Sequence, residues 1–430
     1  MRSKPKSLAT ARSQVFLSAW VLYAGYYICR KDINPTTGPG ASHLAISLVC
    51  FGAAYALGQL VGGMLADGWG ARRTALTGAG ISILCTSLQA FHSLPVFSLL
   101  LLLGNGLGQG LGWPSMLRLI GMWFQRGERD RVLGWWSISY ILGGVLATSL
   151  TAWLLVHTRV TLLSGFQPAY LVSSSVLLLA ALFFYVATNH LPYPALALAL
   201  PATSALSASE APRTQIGLWS EILANRRIQV ISVVYFFLKM TRYTLLFWLP
   251  LYLTSSLGYS QHSAEQFASY FELLGFLGPL AAAYAIERWF GERHMVLGAG
   301  MLFALAFTCL LHPVLASSGW FGTAVSISLT GILIYGADVL MSAMAVLDAV
   351  PEQLHGRAAG FVNGIGSIGQ TLSPFLVTIF VLHFGWTKLF DLFVFFALVA
   401  GAVCACGAHL QTDQSSAANR SVLESTHIPT

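Results

Sequence analysis

Apolar runs separated by short polar or glycine-bearing breaks recur along all 430 residues. A helix rising about 1.5 Å per residue needs about 20 apolar residues to cross roughly 30 Å of hydrocarbon. Twelve runs approach or exceed that length: 13–33, 44–66, 74–91, 95–118, 132–156, 168–188, 228–256, 264–286, 295–313, 319–346, 358–382 and 388–409. The pattern predicts an all-α membrane protein of 12 transmembrane helices. The longest polar break, 189–227, holds Pro192, Pro194 and Pro201 and then a Ser/Ala/Glu stretch. Leu218 to Arg227 reads as an interfacial helix. The expected organisation is a six-helix bundle over 1–188, a cytoplasmic linker over 189–227, a second six-helix bundle over 228–410 and a disordered cytoplasmic tail over 411–430.

Composition sharpens this. Hydrophobic residues make up 56% of the chain and charged ones 9%, against about 25% charge in soluble domains. Mean hydropathy is +0.68. Of 23 Lys and Arg, 16 fall on one side if the N-terminus is cytoplasmic, including Arg72, Arg73, Arg126, Arg129, Arg131, Arg288, Arg293 and Arg357. The opposite loops hold only Arg159 and Lys388. Such asymmetry predicts cytoplasmic termini, and it explains a pI near 9.2 without nucleic acid. The first apolar run has no convincing small-residue cleavage site, so it reads as a span and not a signal peptide. The six cysteines are scattered in or beside apolar runs, which predicts neither disulfide nor metal site. The sequence offers no nucleophile–base–acid set, so neither an enzyme nor a cofactor is expected.

The two halves repeat one another. Asp67-Gly68-Trp69-Gly70-Ala71-Arg72-Arg73 follows helix two, and Glu287-Arg288-Trp289-Phe290-Gly291-Glu292-Arg293 follows helix eight. Gly127-Glu128-Arg129-Asp130-Arg131 follows helix four, and Pro351-Glu352-Gln353-Leu354-His355-Gly356-Arg357 follows helix ten. Duplicated halves are how many transporters build alternating access. The Asp67/Arg72/Arg73 turn resembles the cytoplasmic signature of the major facilitator superfamily. That resemblance implies a charge latch that closes the cytoplasmic side, with Glu287 and Arg293 as its counterparts in the second half.

Two runs carry charge where charge is costly. Arg30 ends the first, in Tyr26-Tyr27-Ile28-Cys29-Arg30-Lys31, and Arg242 sits inside the seventh, in Lys239-Met240-Thr241-Arg242-Tyr243. A charge at membrane depth costs several kcal/mol and faces a partner or a watery path. One cation from each opening helix, meeting at the midplane, describes an anion site. Arginine suits phosphate because its planar fork offers paired donors and stays charged. For Arg242 the purely structural account is neutralisation by Glu272 or Asp338; Arg30 could snorkel to the interface. The glycine run Gly104-Asn105-Gly106-Leu107-Gly108-Gln109-Gly110-Leu111-Gly112 lacks the preceding strand, Walker lysine and glycine spacing of nucleotide loops. Close helix packing explains it better.

With these residues in place, the chain resembles the organophosphate:phosphate antiporter family of the major facilitators over essentially its whole length. The resemblance rests on Tyr23, Tyr27 and Arg30-Lys31, and on Gly108-Gln109-Gly110-Leu111-Gly112-Trp113-Pro114 with Arg118, Trp123-Phe124 and Glu128-Arg129. It continues through Gly143-Gly144, Arg242-Tyr243, Trp248, Phe271-Glu272, Ile334-Tyr335-Gly336 and Ala358-Ala359-Gly360-Phe361. It implies two pseudo-symmetric six-helix bundles, the major facilitator fold, exchanging a sugar phosphate for inorganic phosphate. Arg30 and Arg242 would clamp the phosphate, with Lys31 beside the first. Tyr23, Tyr27 and Tyr55 would line the cavity, and Glu272 would orient Arg242. An empty cavity with two uncompensated cations would resist occlusion, which predicts obligatory exchange.

Three departures bear on the substrate. Gln59 stands where family members carry a cavity lysine, Tyr140 where they carry a histidine, and Asp338 is an added carboxylate. Asp338 is expected to pair with Arg242, Lys239 or Arg30, the alternative being a proton carrier. Two rival functions stay open: a sugar-phosphate sensor signalling to a histidine kinase, and a proton-coupled organic-anion transporter. The expected setting is a monomer in a bacterial inner membrane, with the lipid bilayer, a phosphorylated solute and inorganic phosphate as partners.

Overall fold

A computed structural model describes residues 8–30, 41–91, 94–157, 168–189 and 215–410. Lys31, most of the linker and the tail beyond 410 lie outside the described residues. Among those described, the secondary structure is helical, joined by short turns. The helices are α1 (Leu8–Arg30), α2 (Ala41–Leu65), α3 (Ala71–Gln89), α4 (Pro95–Gly110), α5 (Gly112–Trp123), α6 (Arg126–His157), α7 (Pro168–Asn189) and α8 (Gln215–Ala224). They continue as α9 (Arg226–Leu257), α10 (Gln261–Gly275), α11 (Leu277–Ala285), α12 (His294–Ser317), α13 (Trp320–Val339), α14 (Ala345–Ala349), α15 (His355–Phe384) and α16 (Leu389–Gly407). Ten stretches among the described residues are long and apolar enough to cross a membrane. One of them, Ile46–Gln89, runs through the turn between α2 and α3.

Local chemistry sets the boundaries. Pro95 occupies the first turn of α4, where its missing N–H is no loss. Asn225 caps α9 by accepting from the Ile228 amide at 3.2 Å, and Gly258 closes that helix in the left-handed region (φ 68°). Ser260 caps α10 through the Ser263 amide at 3.2 Å. The fourth apolar run is one helix by sequence but two in the structure, with α4 and α5 meeting at Leu111. Within the tenth run, Leu340–Met344 forms a wide π-helical turn between α13 and α14.

The chain forms two compact units, one of residues 1–224 with 350–364, the other of 225–349 with 365–430. In the first, α1 packs on α6 and α7, α2 on α4, and α3 on α4, α5 and α7. The glycine run lets α4 touch α2 directly: a Cβ on Gly110 would lie 2.6 Å from the Gly58 Cα. In the second unit, α12 packs on α13 and α16, α10 and α11 on α13, and α9 on α16. Each unit contains the same wide turn after an apolar helix, Ala66–Gly70 in one and Ile286–Phe290 in the other. Each turn closes with a glycine at positive φ, Gly70 at 104° and Gly291 at 56°, a conformation that a side chain would strain.

Candidate functional site

Arg30 is the last residue of α1 and is only 9% exposed. Its guanidinium lies between two tyrosine rings, 4.5 Å from the Tyr27 centroid and 4.2 Å from that of Tyr55. Its Nε donates to Gln109 Oε1 at 3.3 Å. Gln109 is held in turn, because its Nε2 donates to the Tyr26 carbonyl at 2.9 Å. Rings continue the wall: Tyr23 meets Tyr27 at 5.7 Å, Trp113 at 5.6 Å and Trp136 at 4.8 Å, and Tyr27 meets Tyr140 at 5.4 Å. The structure thus gathers Tyr23, Tyr27, Tyr55 and Tyr140 around Arg30, as a cation held by π faces and an amide. Gln59 lies one helical turn beyond Tyr55 and is fully buried. Neither its amide nitrogen nor its oxygen has a hydrogen-bond partner among the described residues.

Arg242 lies near the middle of α9 and is equally buried, but its surroundings are ionic. Its Nη1 lies 3.0 Å from Asp338 Oδ1, and its guanidinium sits 4.4 Å from the Tyr335 ring and 5.6 Å from that of Tyr243. Tyr235 also donates to Asp338 Oδ1, at 3.1 Å. Lys239, one turn along from Tyr235, donates to Ser367 Oγ at 2.8 Å, and its ammonium lies 5.5 Å from the Tyr235 ring and 5.8 Å from that of Tyr243. The charge of Arg242 is therefore compensated by a carboxylate, and obligatory exchange does not follow from two bare cations. Glu272 is half-buried on α10.

The two repeated turns differ. Asp67 accepts from the Gly356 and Arg357 amides, both at 2.9 Å, and so caps α15. Its Oδ2 also lies 3.2 Å from Arg357 Nη1, and Arg118 Nε lies 3.5 Å from its Oδ1. Arg118 also donates to the Glu352 carbonyl. Arg72 donates to Asn189 Oδ1 at 2.9 Å and to the Tyr185 carbonyl at 3.2 Å, whereas Arg73 is exposed. In the second unit, Glu287 and Arg293 are exposed.

Gln109 and the Asp67 partners Arg118 and Arg357 had no site role by sequence, and Lys239 only that of one possible partner of Asp338. Gln109 was hidden in a glycine run. Lys239 carried the same signal as Arg242, a cation inside an apolar run, and could have been found by it.

Comparison with known proteins agrees with this architecture. The model of the Major Facilitator Superfamily matches residues 13–337 and 231–423. The glycerol-3-phosphate transporter of Bacillus subtilis is 25% identical over 404 residues, covering 90% of this chain and 90% of its own. A glucose-6-phosphate exchanger of Xenopus laevis is 26% identical over 392 residues, covering 82% and 76%. The solved Escherichia coli fucose:proton symporter superposes with a TM-score of 0.72 at 13% identity, over 94% of this chain and 99% of that one. At that identity the likeness concerns the fold. The chain belongs to the Major Facilitator Superfamily. It is an integral, multi-pass membrane transporter, and its relatives include organophosphate carriers.

Proposed function

We propose that this transporter exchanges a sugar phosphate for inorganic phosphate by alternating access. The observation that carries the reading is a pair of arginines, Arg30 and Arg242, each buried in the opening helix of one sequence half and each set against tyrosine rings. Guanidinium groups offer paired donors to phosphate oxygens, and in this reading both arginines bind the substrate phosphate. Lys31 adds charge beside Arg30. Tyr23, Tyr27, Tyr55, Gln59 and Tyr140 face the organic part and the phosphate oxygens, with Glu272 and Asp338 tuning the charge. The phosphorylated substrates named for the relatives support the same choice. Asp67, Arg72 and Arg73, with Glu287 and Arg293, serve the cytoplasmic latch. The working form is a monomer in a bacterial inner membrane, termini inside.

The test is radiolabelled phosphate uptake into proteoliposomes loaded with phosphate, chased with unlabelled phosphate esters. Saturable exchange that is lost in Arg30→Ala and Arg242→Ala supports the reading, and the strongest competitor names the ester. Robust net uptake into vesicles lacking any counter-substrate would sink the exchange. Sugar-phosphate binding without transport would turn the reading to a sensor.

A further inference from the structure

The second unit holds more charge than phosphate binding requires. Tyr235, Lys239 and Arg242 lie on α9 at successive turns, Asp338 near the end of α13, and Ser367 on α15. None of the five is more than 5% exposed. The Asp338 carboxylate touches Arg242 through one oxygen, at 3.0 Å, and the same oxygen accepts from Tyr235 at 3.1 Å. The Tyr235 ring in turn lies beside the Lys239 ammonium. A side chain that already occupies the guanidinium with an anion competes with any anionic solute for it. Being tethered, it competes at a high effective concentration.

We propose that Asp338 is an internal anion which substrate phosphate displaces from Arg242, and that the displaced carboxylate passes to Lys239 along Tyr235. The inference rests on the phosphate reading above. Tyr235 provides continuity, because its hydroxyl holds the carboxylate while its ring borders the receiving cation. A wide π-helical turn, Leu340–Met344, begins two residues after Asp338, and such bulges are frequent at functional sites. The exchange of partners leaves neither Arg242 nor Asp338 without a counter-charge: Arg242 goes from carboxylate to phosphate, and Asp338 from arginine to lysine. It also makes Asp338 a filter. A free monocarboxylate offers Arg242 nothing that Asp338 does not already offer, and it arrives untethered. A phosphate dianion brings twice the charge and a geometry matched to the guanidinium fork, so it displaces Asp338 where acetate or lactate does not.

The experiment is a double-mutant cycle on phosphate self-exchange in proteoliposomes, with acetate and lactate as competitors. Asp338→Asn removes the internal competitor. It is expected to lower the half-saturating phosphate concentration about tenfold, to slow maximal exchange, and to make exchange sensitive to monocarboxylates. Lys239→Gln removes the receiving cation and is expected to raise half-saturation about tenfold. Because Lys239 acts through Asp338, adding Lys239→Gln to Asp338→Asn should change half-saturation little, a non-additivity that reports coupling. Misfolding reduces the amount of exchange but does not tighten binding, so the Asp338→Asn result is informative whatever its yield. Weaker phosphate binding in Asp338→Asn, or additive effects of the two substitutions, overturns the switch alone. A wild-type protein that neither exchanges nor binds phosphate overturns the phosphate reading, and the switch falls with it.

Discussion

The two buried arginines differ in what surrounds them. Arg30 is set between the faces of Tyr27 and Tyr55 and donates to an amide oxygen, whereas Arg242 is set against a carboxylate. Ring faces and an amide oxygen orient a guanidinium without cancelling its charge. A carboxylate orients it by occupying a donor and cancelling its charge. In the proposed function the first arrangement leaves a net cation for phosphate, and the second makes phosphate compete with a carboxylate. In that reading the two arginines, one on the opening helix of each sequence half, have unequal tasks, and the inequality lies in the neighbours.

The largest expected difference between the two arginines is in stability. Removing Arg242 takes the guanidinium from a buried carboxylate, at a cost of up to about 3–5 kcal/mol, less whatever Lys239 recovers by receiving it. Thermal unfolding in detergent should therefore show Arg242→Ala strongly destabilised and Arg242→Ala/Asp338→Asn largely restored. Arg30→Ala should unfold much nearer the wild type. If the two single variants melt alike, the contrast is wrong.

A second pair of regions, the repeated turns, gives the next effect. Asp67→Ala loses two helix-capping hydrogen bonds and the Arg357 pair, which predicts a loss of about 2–4 kcal/mol. Glu287→Ala, at the matching but exposed position, should stay within about 0.5 kcal/mol, and the two melting curves compared side by side check both. Smaller again is the π contribution at Arg30. Tyr55→Leu should weaken half-saturating phosphate by about 5- to 30-fold, as loss of about 1–2 kcal/mol of cation–π attraction requires, and Tyr55→Phe should recover most of it. Smallest is Gln59→Leu. Replacing an amide with no partner among the described residues should raise the melting temperature of the unliganded protein, by the equivalent of about 1 kcal/mol, while lowering affinity for the organic phosphate. A lower melting temperature would mean that Gln59 is satisfied within the fold.

Much of the helical layout was legible, because a membrane span is written in length and hydropathy. The break at Leu111 and the wide turn at Leu340–Met344 were not, since neither changes the apolar run that contains it. At the candidate site, Arg30 and Arg242 announced themselves as cations in apolar helices. The partner of Arg242 did not. Asp338 is 96 residues away in sequence, and three cations were chemically suitable; the rotation of α9 and α13 about their axes chose among them. Gln109 was harder still, because its role depends on a carbonyl of α1 that orients its amide.

The unit containing Asp67 is completed by residues 350–364, and this has a consequence for biosynthesis. A ribosome delivers residues 1–224 long before the segment that Asp67 caps, and everything from 225 to 349 must be made in between. Until then the Asp67 carboxylate has neither the Gly356 and Arg357 amides nor the Arg357 guanidinium. Residues 1–224, expressed by themselves, would therefore emerge as an intermediate short of a component, and supplying residues 225–430 in trans should stabilise them.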